Sequence, residues 1–145
     1  MKQLISDNVN LNDPLVFANW VKDLQAALTV EDWHEVGAAN EPAFSTNWAN
    51  SASQETAAFR KVNNQIFIKG RCSKSVNGTN PDTIFTLPES YRPNNIVLCR
   101  FVYSPWTTGS CGLLHINSTG DIQVYAVGLT SGFEVGINTS FYLDN

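Results

Sequence analysis

After Thr29 the sequence is cut into short apolar runs by Gly, Pro and Asn/Asp/Ser clusters, and this cadence constrains the fold more than any other feature. Short runs rich in Ile, Val, Phe and Tyr, alternating apolar with polar, describe half-buried strands. Phe59–Val62, the pair Asn63-Asn64 and Gln65–Cys72 read as a hairpin, with Ile66, Ile68, Gly70 and Cys72 on one face. Asn tolerates positive φ and suits the tight turn. A polar loop, Ser73 to Asp82, leads to a strand Thr83–Leu87 that Pro88 ends. Ile96–Tyr103 is the most apolar run and is expected to be the central, most buried strand. Leu113–Ile116 and Ile122–Tyr125 flank a turn with Gly120, and Phe133–Ile137 and Ser140–Leu143 close the series. No second helical period interrupts it, so the expected class is mainly β, an antiparallel sandwich or barrel.

One earlier stretch follows a different period. Asp13 can accept first-turn amide hydrogen bonds, and Pro14 suits the first helical position, where no donor is needed. Phe17, Trp20, Val21, Leu24 and Leu28 then recur three and four apart on one face, predicting a short α-helix that ends near Leu28–Thr29. Alone in water such a helix is marginal, so its face must pack on the main domain or on copies of itself. The expected division is residues 1–32 as a helical oligomerisation or attachment segment and 33–145 as the β-domain.

Charge narrows the partners. Residues 1–35 carry six acids and two bases, whereas the rest of the 145-residue chain balances seven against seven. A neutral domain with no basic stripe lacks the footprint of a nucleic-acid binder. Only 15% of residues are charged, and many are Asn, Ser, Thr and Gly, which suits sugars or neighbouring subunits. No stretch is long and apolar enough to predict a membrane span, and the N-terminus lacks a signal-peptide pattern, so synthesis in a cytoplasm is expected. Cys72, Cys99 and Cys111 show no C-x-x-C spacing and read as reduced thiols. The Asn-x-Ser/Thr triplets at Asn77, Asn117 and Asn138 read as chance in so Asn-rich a chain.

Ile84-Phe85-Thr86-Leu87-Pro88-Glu89-Ser90-Tyr91-Arg92-Pro93 resembles the F-T-L-P-x-G-Y-R-P segment of C-terminal knob modules in bacteriophage tail fibres and baseplate proteins. Upstream, Trp33-His34-Glu35-Val36-Gly37, Pro42-Ala43-Phe44 and Asn47-Trp48 are similar to their opening W-x-x-V-G, P-A-F and N-W. Downstream, Leu114–Ile122 resembles their I-x-I-x-x-x-G-x-I hairpin. The likeness spans about residues 33–143 and departs at Ser90, where the family commonly has Gly. It implies a jelly-roll-like knob in a homotrimer, built into the virion tail. Tyr91-Arg92-Pro93 reads as architecture, Pro88 and Pro93 restricting the crossing while Tyr91 packs its ring and hydrogen-bonds its hydroxyl.

No catalytic or metal constellation stands out, and no cofactor is expected. Cys111 and His115, four apart on a strand, lie about 13 Å apart along it, whereas a metal needs three or four converging ligands. A glycan-cleaving enzyme needs two carboxylates about 5–9 Å apart. Glu89, Asp121 and Glu134 are available for that, but each sits beside a turn or strand end. The best binding segment is Tyr103-Ser104-Pro105-Trp106-Thr107-Thr108-Gly109-Ser110. Trp106 can stack on a sugar face while Tyr103, Thr107 and neighbouring hydroxyls take its OH groups. It can equally fold back as a lid or pack at a subunit contact. His115 and Tyr125 line the same surface if the second hairpin lies beside it.

The functional expectation is a non-enzymatic tail receptor-binding protein that recognises host cell-surface saccharide and docks on other tail proteins through its N-terminal segment. The alternative is a structural baseplate or fibre subunit that binds only tail proteins. A glycan-cleaving enzyme is the weakest of the three.

Overall fold

Burial of alternate side chains turns the apolar runs into two antiparallel sheets. The computed structural model describes residues 13–28, 30–104, 111–125 and 130–143, without the side chains of 26–28, 102–104 and 111. The chain divides after Glu31 into two units. The first holds α1, Pro14–Leu28, which starts as its cap chemistry dictates: Leu15 N donates to Asp13 Oδ1 at 2.9 Å, and Phe17 N to Asp13 O at 2.9 Å. Phe17 and Trp20 meet on one helix face, ring centroids 6.0 Å apart. No helix among the described residues is long and apolar enough to cross a membrane.

The second unit contains β1 (His34–Glu35), β2 (Trp48–Asn50), β3 (Ala58–Val62), β4 (Gln65–Lys69), β5 (Arg71–Lys74) and β6 (Asp82–Thr86). A 3-10 turn, Glu89–Tyr91, precedes β7 (Val97–Ser104), β8 (Cys111–Ile116), β9 (Asp121–Tyr125), β10 (Glu134–Gly136) and β11 (Thr139–Tyr142). One sheet has the order β1-β3-β4-β11, the other β2-β5-β10-β7-β8-β9-β6. Their inner faces share one core, Phe59, Ile66, Ile68 and Phe141 from the first meeting Cys72, Ile84, Phe85, Leu114, Ile122, Val124 and Val135 from the second. Among the described residues the fold is therefore an antiparallel β-sandwich with one short helix.

The hairpin β3–β4 turns at Asn63-Asn64, with Asn63 at φ +55°. Gln65–Cys72 is not one strand, however. The chain breaks at Gly70, φ +118°, and β5 crosses to the other sheet. A Cβ at Gly70 would lie 2.5 Å from Ala57 Cα and 2.7 Å from Thr56 O, so only glycine fits. Inward alternation still continues across the break through Ile66, Ile68 and Cys72. Burial pushes the Cys72 thiol up to about 12, which keeps it protonated at neutral pH.

The supposed loop Ser73–Asp82 begins and ends inside strands. Lys74 and Asp82 are each only 7% exposed and pair at 2.9 Å. Asp82 Oδ1 also accepts from Trp48 Nε1 at 3.0 Å and Oδ2 from Thr79 N at 3.1 Å, while Lys74 Nζ reaches Thr46 O at 3.2 Å. Such a pair persists in the interior because each charge is hydrogen-bonded on several sides.

β7 does hold the middle of the larger sheet, but it is not its most buried strand. Phe101 is buried, whereas Leu98 is 60% exposed and Arg100 is open to solvent. Among the described residues nothing covers this outer face.

Candidate functional site

The second hairpin sets the site. In the β8–β9 ladder His115 pairs with Gln123 and Leu113 with Tyr125, so His115 and Tyr125 are diagonal neighbours on the outward face. Their rings stack with centroids 3.9 Å apart at 28°. Gln123 lies beside them and donates from Nε2 to Thr83 Oγ1 at 3.2 Å across the β9–β6 pairing. His115 Nε2 is shielded from water and has no hydrogen-bond partner among the described residues. On the β7 side the surface turns apolar, with Leu98 opposite His115 and Leu113 40% exposed. The result is a half-buried aromatic pair edged by an amide and a hydroxyl on one side and by leucines on the other. Chemically it can stack on a ring and exchange a few neutral hydrogen bonds; it carries no concentrated charge.

The structure therefore brings together two of the sequence-predicted residues, His115 and Tyr125. Trp106 and Thr107 lie outside the described residues, as does the Tyr103 side chain, whose backbone pairs with Val135.

Two of the three carboxylates weighed for hydrolysis, Glu134 and Asp121, are engaged by neighbouring side chains. Glu134 accepts from Ser51 Oγ and pairs with Arg71 at 3.0 Å. Asp121 closes the β8–β9 turn, where Asn117 Oδ1 accepts from the amides of Thr119 and Asp121 and Gly120 takes φ +89°. Among the described residues no group of three His, Cys, Asp or Glu side chains could hold a metal.

The Asp121 carboxyl is held below its ordinary 3.8, chiefly by the Thr86 hydroxyl at 2.6 Å, with Thr119, Asn117 and the Arg92 charge adding and partial burial opposing. A lowered folded-state value means that the unfolded chain takes up the proton first. Asp121 thus stabilises fully above the unfolded value and loses that contribution as pH falls through 3.8 towards the folded one. The melting-temperature gap between wild type and Asp121→Asn is expected to be widest near neutral pH and to narrow below pH 3.8. A gap constant across that range would show no such contribution.

One cluster escaped the sequence reading. His34 Nδ1 contacts Glu41 Oε1 at 2.8 Å and His34 Nε2 contacts the Tyr91 hydroxyl at 3.2 Å. With the proton on Nδ1, the imidazole donates to Glu41 and accepts from Tyr91. The Tyr91 ring meets Phe59 edge-on at 4.9 Å, so the cluster ties the opening motif to the Tyr91-Arg92-Pro93 crossing. Ser90, in the glycine position of the motif, sits inside the 3-10 turn, a right-handed conformation that needs no glycine. Trp33 is flanked by the Arg60 guanidinium at 4.4 Å and the Lys69 ammonium at 4.5 Å, a cation–π arrangement on the smaller sheet.

No family model matches the sequence, and no curated protein does. Among solved structures, the receptor binding protein (gp15) of Listeria phage PSA superposes with a TM-score of 0.67, covering 92% of this chain and 77% of its own, at 13% identity. The chain shares its fold with a phage receptor-binding protein. At that identity the likeness is one of architecture, and it extends well beyond the Phe85–Pro93 segment on which the sequence resemblance was strongest.

Proposed function

We propose that this protein is the receptor-binding component of a bacteriophage tail, a trimer that recognises saccharide on the host cell surface and stays attached to neighbouring tail proteins through residues 1–32. The shared architecture supports the tail setting. The observation that carries saccharide recognition is the half-buried, outward-facing His115–Tyr125 stack, bordered by Gln123 and Thr83. An aromatic face with neutral hydrogen-bonding side chains beside it matches the alternating apolar faces and hydroxyl rims of a sugar ring. The exposed apolar strip Ile96, Leu98 and Leu113 next to it favours self-association. The Tyr103–Ser110 segment, with Trp106 and Thr107, joins β7 to β8 and extends the same reading. The virion tail is then the working location, after synthesis in the host cytoplasm.

The test is Tyr125→Ala, measured for adsorption to host cells and for thermal melting. Loss of one stacking contact is worth about 0.5–1.5 kcal/mol, and simultaneous engagement of three sites compounds it. Adsorption is expected to fall about tenfold or more at an almost unchanged melting temperature. Unchanged adsorption would favour a purely structural tail subunit. Light scattering is expected to give the mass of three protomers, and a monomer would remove the trimeric part of the proposal.

A further inference from the structure

A concave feature that shares no lining residue with the aromatic pair lies between the 3-10 turn and the tip of the β8–β9 hairpin. It is an open depression of about 410 Å³ lined by Glu89, Arg92, Pro93, Asn94 and Ser118. Its volume falls within the usual range for small-molecule sites, about 300–1,000 Å³.

Arg92 gives this depression its chemistry. Its Nε donates to Leu87 O at 2.9 Å, which fixes the plane of the guanidinium. The stem lies across Gly120, where an added Cβ would stand 2.8 Å from Arg92 Cγ, Arg92 Nε and Leu87 O alike. Glycine at 120 therefore serves two ends, the φ of +89° in the turn and the close passage of Arg92. The terminal guanidinium nitrogens make no hydrogen bond to the protein among the described residues. An arginine held at Nε, with its outer donors open in a concave site, is pre-organised to bind.

The other lining groups select the ligand. Glu89 offers a carboxylate that accepts from two adjacent hydroxyls, while Asn94 and Ser118 can both donate and accept. Buried Pro93 supplies the apolar wall. One acid and one base line the site, and the Arg92 charge is also felt by the Asp121 carboxylate, so a phosphate or carboxylate would meet Glu89 and Asp121 as repulsive neighbours. We propose that this depression binds one neutral polyhydroxylated ring, a glycosyl unit of the host surface polymer, as a site separate from the His115–Tyr125 platform. Its biological sense rests on the receptor-binding reading; its chemistry does not.

The full chain would be examined by ligand-observed NMR against neutral hexoses, 6-deoxyhexoses and N-acetylhexosamines, with inorganic phosphate as the anionic probe. Glu89 and Ser118 are exposed, so Glu89→Gln and Ser118→Trp should fold normally, as thermal melting will verify. At least one neutral sugar is expected to bind. Ser118→Trp should abolish that binding by filling the depression, and Glu89→Gln should weaken it about tenfold, the worth of hydrogen bonds to a charged group. Phosphate should give no signal. Failure of every neutral sugar, survival of binding in Ser118→Trp, or phosphate binding in place of sugar would each overturn the proposal. Adsorption separates the two readings. Wild-type adsorption that Ser118→Trp leaves intact sinks this site and spares the receptor reading. Sugar binding that Ser118→Trp removes, without wild-type adsorption to any cell displaying that sugar, does the reverse.

Discussion

Replacing Asp82 by leucine is expected to lower stability by about 3–5 kcal/mol, the cost of leaving a buried charge without its partner. The carboxylate accepts from Lys74, Trp48 and the Thr79 amide, so its loss strands an ammonium, an indole N–H and a backbone donor together. For a domain of this size the melting temperature should fall by roughly 10–25 °C. Lys74→Met in the same background removes the orphaned charge and is expected to restore part of the loss. It will not restore all of it, because Trp48 Nε1 and Thr79 N remain unpaired. A single-mutant cost below about 1 kcal/mol, typical of a surface pair, would show that water reaches the site.

Gly70→Ala should be at least as damaging. Backbone strain at such a φ costs on the order of 1–3 kcal/mol for a residue with a Cβ. Here the methyl would also overlap Ala57 and the Thr56 carbonyl, and those contacts are backbone atoms that no rotamer change can move away. Both backbone groups of Gly70 are engaged as well, its N–H by Asn138 Oδ1 at 2.7 Å and its C=O by Ile137 N at 3.0 Å. The expected outcome is a variant recovered mainly as aggregate, or one whose denaturant midpoint is far below that of wild type. Wild-type stability in this variant would mean that the crossing between sheets tolerates a different backbone path.

Local chemistry in this chain was legible. Asp13-Pro14 fixed the helix start, Asn63-Asn64 and Asn117–Asp121 fixed two turns, and period-two alternation located most strands. His115 and Tyr125 were placed on one surface only on condition that the second hairpin lies beside the Tyr103–Ser110 segment; it is the ladder register that makes them diagonal neighbours. What escaped notice depends on partners remote in sequence. Ser73–Asp82 looked like a loop because its residues are polar, yet Lys74 and Asp82 are buried by each other and by Trp48. Gly70 kept the alternation intact while changing sheets, so periodicity could not reveal the break. β1 and β2 are too short to carry a period at all. Ile96–Tyr103 was apolar enough to suggest full burial, but apolar residues also stay on protein surfaces, as Leu98 does.

The placement of β10 sets the order in which this protein can come together. Val135 pairs with Cys72 on one side and with Tyr103 on the other, so a strand from late in the chain separates two that were made much earlier. Without β10, β2–β5 would be one ribbon and β7–β8–β9–β6 another, each with a bare edge facing the gap. Pairings of such long sequence separation fold slowly, and bare edges recruit other chains while they wait. Two ribbons become one sheet only when residues 134–136 slot between them.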